Sequence, residues 1–152
     1  MKSHIETCII TSEVPEVFNL VADIESYPEF LPWCAGARIT KTISERDKKR
    51  LMADLIIAFG SFREKFPSKI VLNEKESTIE IFSSDKPFKV LHGKWCFQKV
   101  NSDCHVSFEI KFEFKSKILD KLMGVVFYKA VKQIVKAFQK RVTDLKRHTP
   151  LT

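Results

Sequence analysis

From Cys104 to Lys115 the chain alternates without a break. Cys104, Val106, Phe108, Ile110, Phe112 and Phe114 are apolar, and His105, Ser107, Glu109, Lys111, Glu113 and Lys115 stand between them. Successive side chains of a strand point to opposite faces, so this run fits an antiparallel strand with one face buried and the other in water. A face carrying three phenylalanines needs a cover, and the next segment supplies one. From about Ser116 to Arg147, Leu119, Leu122, Val126, Ala130, Ile134, Phe138, Val142 and Leu145 recur at steps of three or four, which marks the apolar face of a helix. At ~1.5 Å per residue it spans roughly 45 Å, longer than a domain of this size is wide. Gly124 is expected to mark a bend in it.

Upstream, residues 3–11 read as a strand. Ser12 is the expected N-cap of a first helix, with Pro15 and Glu16 in its first turn. Val14, Val17, Phe18 and Val21 carry that helix to about Asp23. Period-two segments then follow at 36–46, 50–60, 62–73, 77–84 and 89–100, separated by short turns, before the final strand at 104–115. The whole chain, 1–152, reads as one α+β domain: a curved antiparallel sheet wrapped around a long C-terminal helix, the space between them being packed core or a cavity.

The charge is lopsided. Residues 115–147 hold ten Lys or Arg and two Asp, whereas residues 3–37 hold six acids and no Lys or Arg. The basic end suits RNA, an anionic membrane or an acidic partner. Apolar runs such as Leu55–Phe59 are too short to span a bilayer, and the N-terminus has no signal-peptide pattern, so the expected location is cytoplasmic. Cys8, Cys34, Cys96 and Cys104 show no metal-site spacing. Cys96 and Cys104 fall on opposite faces of their strands, so free thiols are expected. His4, His92, His105 and His148 are far apart, no nucleophile–base signature stands out, and neither a metal nor a cofactor is expected.

The segment "SYPEFLPWCAGARI" (Ser26–Ile39) crowds Tyr27, Phe30, Leu31 and Trp33 around two prolines. Prolines bar a long helix or a central strand there. Two readings are open: the loop plugs the end of the core, or Phe30, Leu31 and Trp33 form the lip of a pocket for an apolar ligand. The inward parity of Phe62, Phe66, Ile70 and Leu72, of Leu91, Gly93, Trp95 and Phe97, and of Val106 to Phe114 supports either. If there is a pocket, its expected lining adds Phe59, Phe66, Trp95, Phe108 and Phe112 from the sheet and Val126, Ala130 and Ile134 from the helix. Glu64, which shares the parity of Phe66, and the indole of Trp95 are the available polar contacts for a ligand headgroup.

"VADIESYPEFLPWC" (Val21–Cys34), "ADLIIAFGSFREKF" (Ala53–Phe66), "PFKVLHGKW" (Pro87–Trp95) and "FEFKSKIL" (Phe112–Leu119) together resemble the coenzyme Q-binding START-like family. That family sits within the helix-grip superfamily of polyketide cyclase and Bet v 1-like domains. The resemblance runs over about residues 3–147 and implies the helix-grip fold. It also implies one of two activities. The first is non-catalytic carriage of ubiquinone or a similar polyprenyl lipid in support of respiration, with Lys129, Lys132, Lys136 and Lys140 docking on an anionic membrane. The second, shared with the ribosome-association toxins of the family, is binding of the large ribosomal subunit through the same basic helix, blocking subunit joining. Ligand pockets typically hold ~300–1,000 Å³. A long tail would therefore protrude, or two subunits of a homodimer would share it. Cyclases occur in the superfamily, so the fold alone does not exclude catalysis.

Overall fold

A computed structural model describes residues 1–59 and 61–147, with the side chains of Phe59 and Phe62 outside the described residues; His148 also lies outside them. The elements run β1 (Lys2–Ile10), α1 (Val14–Ala22), a 3₁₀ segment (Ile24–Glu29), β2 (Cys34–Glu45), β3 (Lys48–Phe59), β4 (Phe62–Asn73), β5 (Thr78–Ser83), β6 (Phe88–Val100), β7 (Asp103–Phe114) and α2 (Lys117–Arg147). The strands form one antiparallel sheet in the order β1-β7-β6-β5-β4-β3-β2, with β1 and β2 at its edges. After β1 this is a meander, each strand pairing with its sequence neighbour, and β1 closes against β7.

Register places the alternating sets on a common face. Trp95 sits opposite Phe108, Leu91 opposite Phe112 and Gly93 opposite Ile110. Phe66 pairs with Leu55 and Ile70 with Leu51. All of these except Gly93 belong to the buried core. Gly93 is needed for that packing: a Cβ there would lie 2.8 Å from Cγ2 of Ile81 and 2.9 Å from Cε1 of Phe108. Cys104 is fully buried while Cys96 is half-buried on the other parity, and all four cysteines are free thiols.

Helix α2 is laid toward one edge of the sheet. It packs chiefly on β1 and β7, and three of its side chains donate to carbonyls along the edge formed by β1 and the residue that follows it, Thr11. Tyr128 Oη bonds Ser3 O at 3.3 Å, Gln139 Nε2 bonds Ile9 O at 3.0 Å, and Lys146 Nζ bonds Thr11 O. Those bonds cover an edge that would otherwise invite strand pairing. Ser116 caps the helix, its hydroxyl accepting from Leu119 N at 3.1 Å. Asp120 ties the first turn to the sheet, accepting from Phe114 N at 3.0 Å and from Lys2 Nζ at 2.7 Å.

Two local expectations, the N-cap of α1 and the buried face of α2, are corrected. The residue preceding α1 is Glu13, not Ser12, whose hydroxyl instead donates to the Glu16 carboxylate. Gly124 sits buried within one unbroken helix, where its missing side chain leaves room for Lys2, whose Cε would be 3.0 Å from a Cβ. The buried stripe of α2 is Gly124, Val131, Val135, Phe138 and Val142, and Leu122 and Leu145 of the expected apolar face are exposed. At ~100° per residue the expected stripe drifts around the helix. It runs from the half-buried Leu119 through the exposed Leu122 to the cavity wall at Val126, Ala130 and Ile134, and becomes fully buried at Phe138 and Val142.

Candidate ligand cavity

The proline-flanked segment after α1 does two things. Its first half closes the end of the core. The hydroxyl of Tyr27 donates to the carbonyl of Val21, and Tyr27 and Phe30 meet the ring of Phe138 edge-on at 5.4 and 5.1 Å. The Arg141 guanidinium lies 5.1 Å from the centre of the Phe30 ring, and Arg141 Nη2 is 3.7 Å from Glu29 Oε2. Helix α2 thus grips this half from below through a cation–π contact and an ion pair.

The second half turns inward. Pro32 is followed by Trp33 at φ 65, in the left-handed region that a bulky residue occupies at a cost of roughly 1–2 kcal/mol. The turn is held by Ala58 N, which donates to the Trp33 carbonyl at 2.9 Å and so pins the segment to the end of β3. Leu31, Pro32 and Trp33 are thereby aimed at the concave face of the sheet, and Trp33 remains half-buried.

Behind them lies a cavity of about 180 Å³. Its floor is Leu55 and Ile57 of β3, Phe66 and Ile70 of β4, Ile79 and Ile81 of β5, and Phe88, Leu91 and Trp95 of β6, with Phe108 and Ile110 of β7. Its wall is α2, through Met123, Val126, Phe127, Ala130, Val131, Ile134 and Phe138. The space exists because α2 is drawn toward β1, which leaves the β3–β6 part of the concave face incompletely covered. An apolar hollow of about 150 Å³ stays dry and accepts a benzene-sized guest, so this one is large enough for a short stretch of hydrocarbon. It is smaller than the typical pocket expected from the sequence.

The lining offers little acid–base chemistry. Its ionisable side chains are Tyr27 and Cys34, and burial pushes both upward from their ordinary values, so each stays protonated at neutral pH. Their hydrogens are spent on the carbonyls of Val21 and Gly36. Burial, and secondarily Cys104, likewise raise Cys8 to about 11. The histidines that pair with acids, His4 with Glu6 at 2.6 Å and His92 with Glu80 at 2.8 Å, lie outside the lining. Among the described residues no group of three His, Cys, Asp or Glu side chains could hold a metal ion.

Of the residues expected at a pocket, Leu31, Trp33, Phe66, Trp95, Phe108, Val126, Ala130 and Ile134 line it. Three do not. Phe30 is taken up by Phe138 and Arg141, as above. Phe112 is fully buried on the β1 side of the helix, its ring 4.2 Å from that of Phe127. Glu64 sits opposite Ile57 near the strand end but is not part of the lining. Lys129, Lys132, Lys136 and Lys140 are all exposed. Parity could have supplied Ile57, Ile79 and Ile81, whereas Met123 carried no sequence signal that set it apart from ordinary core.

A curved antiparallel sheet gripping one long helix around an apolar hollow defines the helix-grip class of START-like and Bet v 1-like proteins. Residues 10–139 match the family described as Polyketide cyclase / dehydrase and lipid transport, and the chain belongs to that family. It is 34% identical over 148 residues to the Ribosome association toxin RatA of Rickettsia prowazekii, covering 95% of this chain and 99% of that protein. It is 30% identical over 135 residues to the mitochondrial Coenzyme Q-binding protein COQ10 of Dictyostelium discoideum, covering 87% of this chain and 64% of that protein. The solution structure of the 18 kDa protein CC1736 from Caulobacter crescentus matches with a TM-score of 0.81 at 27% identity, over 96% of this chain and 99% of that one.

Proposed function

We propose that this protein is a non-catalytic carrier of a polyprenyl quinone or similar lipid, which it holds by its hydrocarbon tail between the sheet and α2. The observation that carries this reading is the cavity itself: a preformed hollow whose lining hydroxyl and thiol are already bonded to backbone carbonyls. A quinone ring buried there would leave carbonyl oxygens short of donors, at a cost of about 1–3 kcal/mol each. The indole N–H of Trp95 has no acceptor among the described residues, but one donor cannot satisfy two carbonyls. Placing the tail inside and the ring at the Trp33 mouth avoids the penalty. The resemblance to a protein named for coenzyme Q binding agrees with this choice of lipid.

Organic extraction of the purified protein followed by mass spectrometry tests the reading. A prenyl lipid should be recovered in near-stoichiometric amount. Trp33→Ala should lower the recovered lipid several-fold in a folded protein, and Ala130→Phe, which fills the wall, should lower it further. Trp95→Phe should leave it unchanged, because a tail needs no donor. Lipid-free wild-type protein would refute the carrier reading.

A second reading rests on the basic face of α2, where Lys129, Lys132, Lys136 and Lys140 are exposed with no acid between Asp120 and Asp144. The similarity to a protein named for ribosome association gives that face an alternative target in the large subunit. Contacts of that kind weaken steeply with salt. Salt-sensitive co-sedimentation with isolated large subunits, abolished by charge reversal of Lys132, Lys136 and Lys140, would support it.

A further inference from the structure

The solvent side of α2 is divided along its length. In its first three turns it presents Ile118, Leu122 and Val125, which are 74%, 67% and 67% exposed. Beyond Val125 the same side carries Lys129, Lys132, Lys136 and Lys140. Lys117 and Lys121 flank the apolar residues within the first turns, and both are exposed. Leu122 is one turn from Val126, which lines the cavity, so the exposed apolar surface is continuous with the cavity wall. Three large aliphatic side chains standing in water at three- and four-residue spacing are not explained by the fold, since none of them packs on the core.

We propose that this face, Ile118, Leu122 and Val125 with the lysines around it, docks on an anionic lipid bilayer, the aliphatic side chains entering the interface and the lysines resting on the headgroups. Among the described residues no helix is long and apolar enough to cross a membrane, so α2 lies along the surface. Charge selects this partner over a second copy of the chain. In an isologous dimer built on this patch, lysines would face lysines across the two-fold axis. Nucleic acid would use the lysines but gains nothing from the three aliphatic residues, which offer no aromatic face for stacking and no hydrogen bond. A bilayer with anionic headgroups uses both halves. The geometry also brings the cavity's α2 wall next to the membrane. The inference builds on the carrier reading for its purpose, although the exposed face stands independently of it.

The test is flotation of the full chain with vesicles of phosphatidylcholine alone and of phosphatidylcholine with phosphatidylglycerol. Wild-type protein should float with the anionic vesicles, and binding should weaken with salt. The Leu122→Glu/Val125→Glu variant alters only exposed positions, and a melting curve checks that it folds. It should lose at least about tenfold in vesicle affinity while retaining as much co-purified lipid as wild type. Undiminished flotation of this variant overturns the proposal. So does a concentration-dependent dimer that the variant dissolves, which would make the face a self-interface. Loss of large-subunit co-sedimentation with vesicle binding intact would assign the face to the ribosome instead. Protein that floats but never contains lipid would refute the carrier reading alone.

Discussion

Asp120 shows how one side chain fixes the position of the helix on which the cavity depends. Its carboxylate accepts from the Lys2 ammonium and the Phe114 amide, and those bonds, the Lys2 bond foremost, hold its pKa below the usual 3.8. An acid whose pKa falls on folding stabilises the folded state fully above its unfolded value, and the contribution fades as pH drops through the lowered folded value. Asp120→Asn should therefore cost about 1 kcal/mol at neutral pH, a modest figure for a partly exposed pair. The gap between variant and wild type should narrow below about pH 4. Urea melts at pH 7 and pH 3 check this; an equal gap at both would mean that the ionised carboxylate is not what holds the first turn.

At the scale of elements, β5 and β6 meet where Gly93 leaves space for Ile81 and Phe108, both of which face the cavity. Gly93→Ala must push one of them inward. Overpacking of this kind typically costs about 1–3 kcal/mol, which for a chain of this length lowers the melting temperature by roughly 2–10 °C. Lipid retention should fall with it; a variant that melts lower yet retains all its lipid would show that the side chains move away from the hollow. The strands were legible in the sequence because alternation reports burial directly: each lies within two residues of its expected span. The face of α2 was not legible in the same way. Leu122 and Val126 are equally apolar in the sequence, but one stands in water and the other beside a void. A helix with a packed side, a cavity side and an exposed apolar side gives a single broad stripe, and periodicity cannot divide it. Nor could parity show whether the concave face is filled. That depends on how far α2 is drawn toward β1, which is set by bonds such as that of Gln139 to Ile9.

For the whole molecule, the volume of the hollow limits what binding a lipid tail can achieve. Each CH₂ moved from water into an apolar site gains about 0.8 kcal/mol, but the same group already enjoys that gain in a bilayer. Against a membrane reference, only the differences in packing and in headgroup contacts remain. On the carrier reading proposed above, about 180 Å³ would enclose only the first part of a polyprenyl chain, and the remainder would leave past Trp33 or along Val126. Extraction from vesicles should therefore depend little on tail length once the enclosed part is filled. This can be measured with a series of prenyl quinones of increasing length, preloaded in vesicles, by the fraction transferred to the protein at equilibrium. A plateau after the shortest members is expected. Should transfer keep rising with every added isoprene unit, the sheet and α2 must separate to admit the entire tail, and the cavity wall would be a moving part.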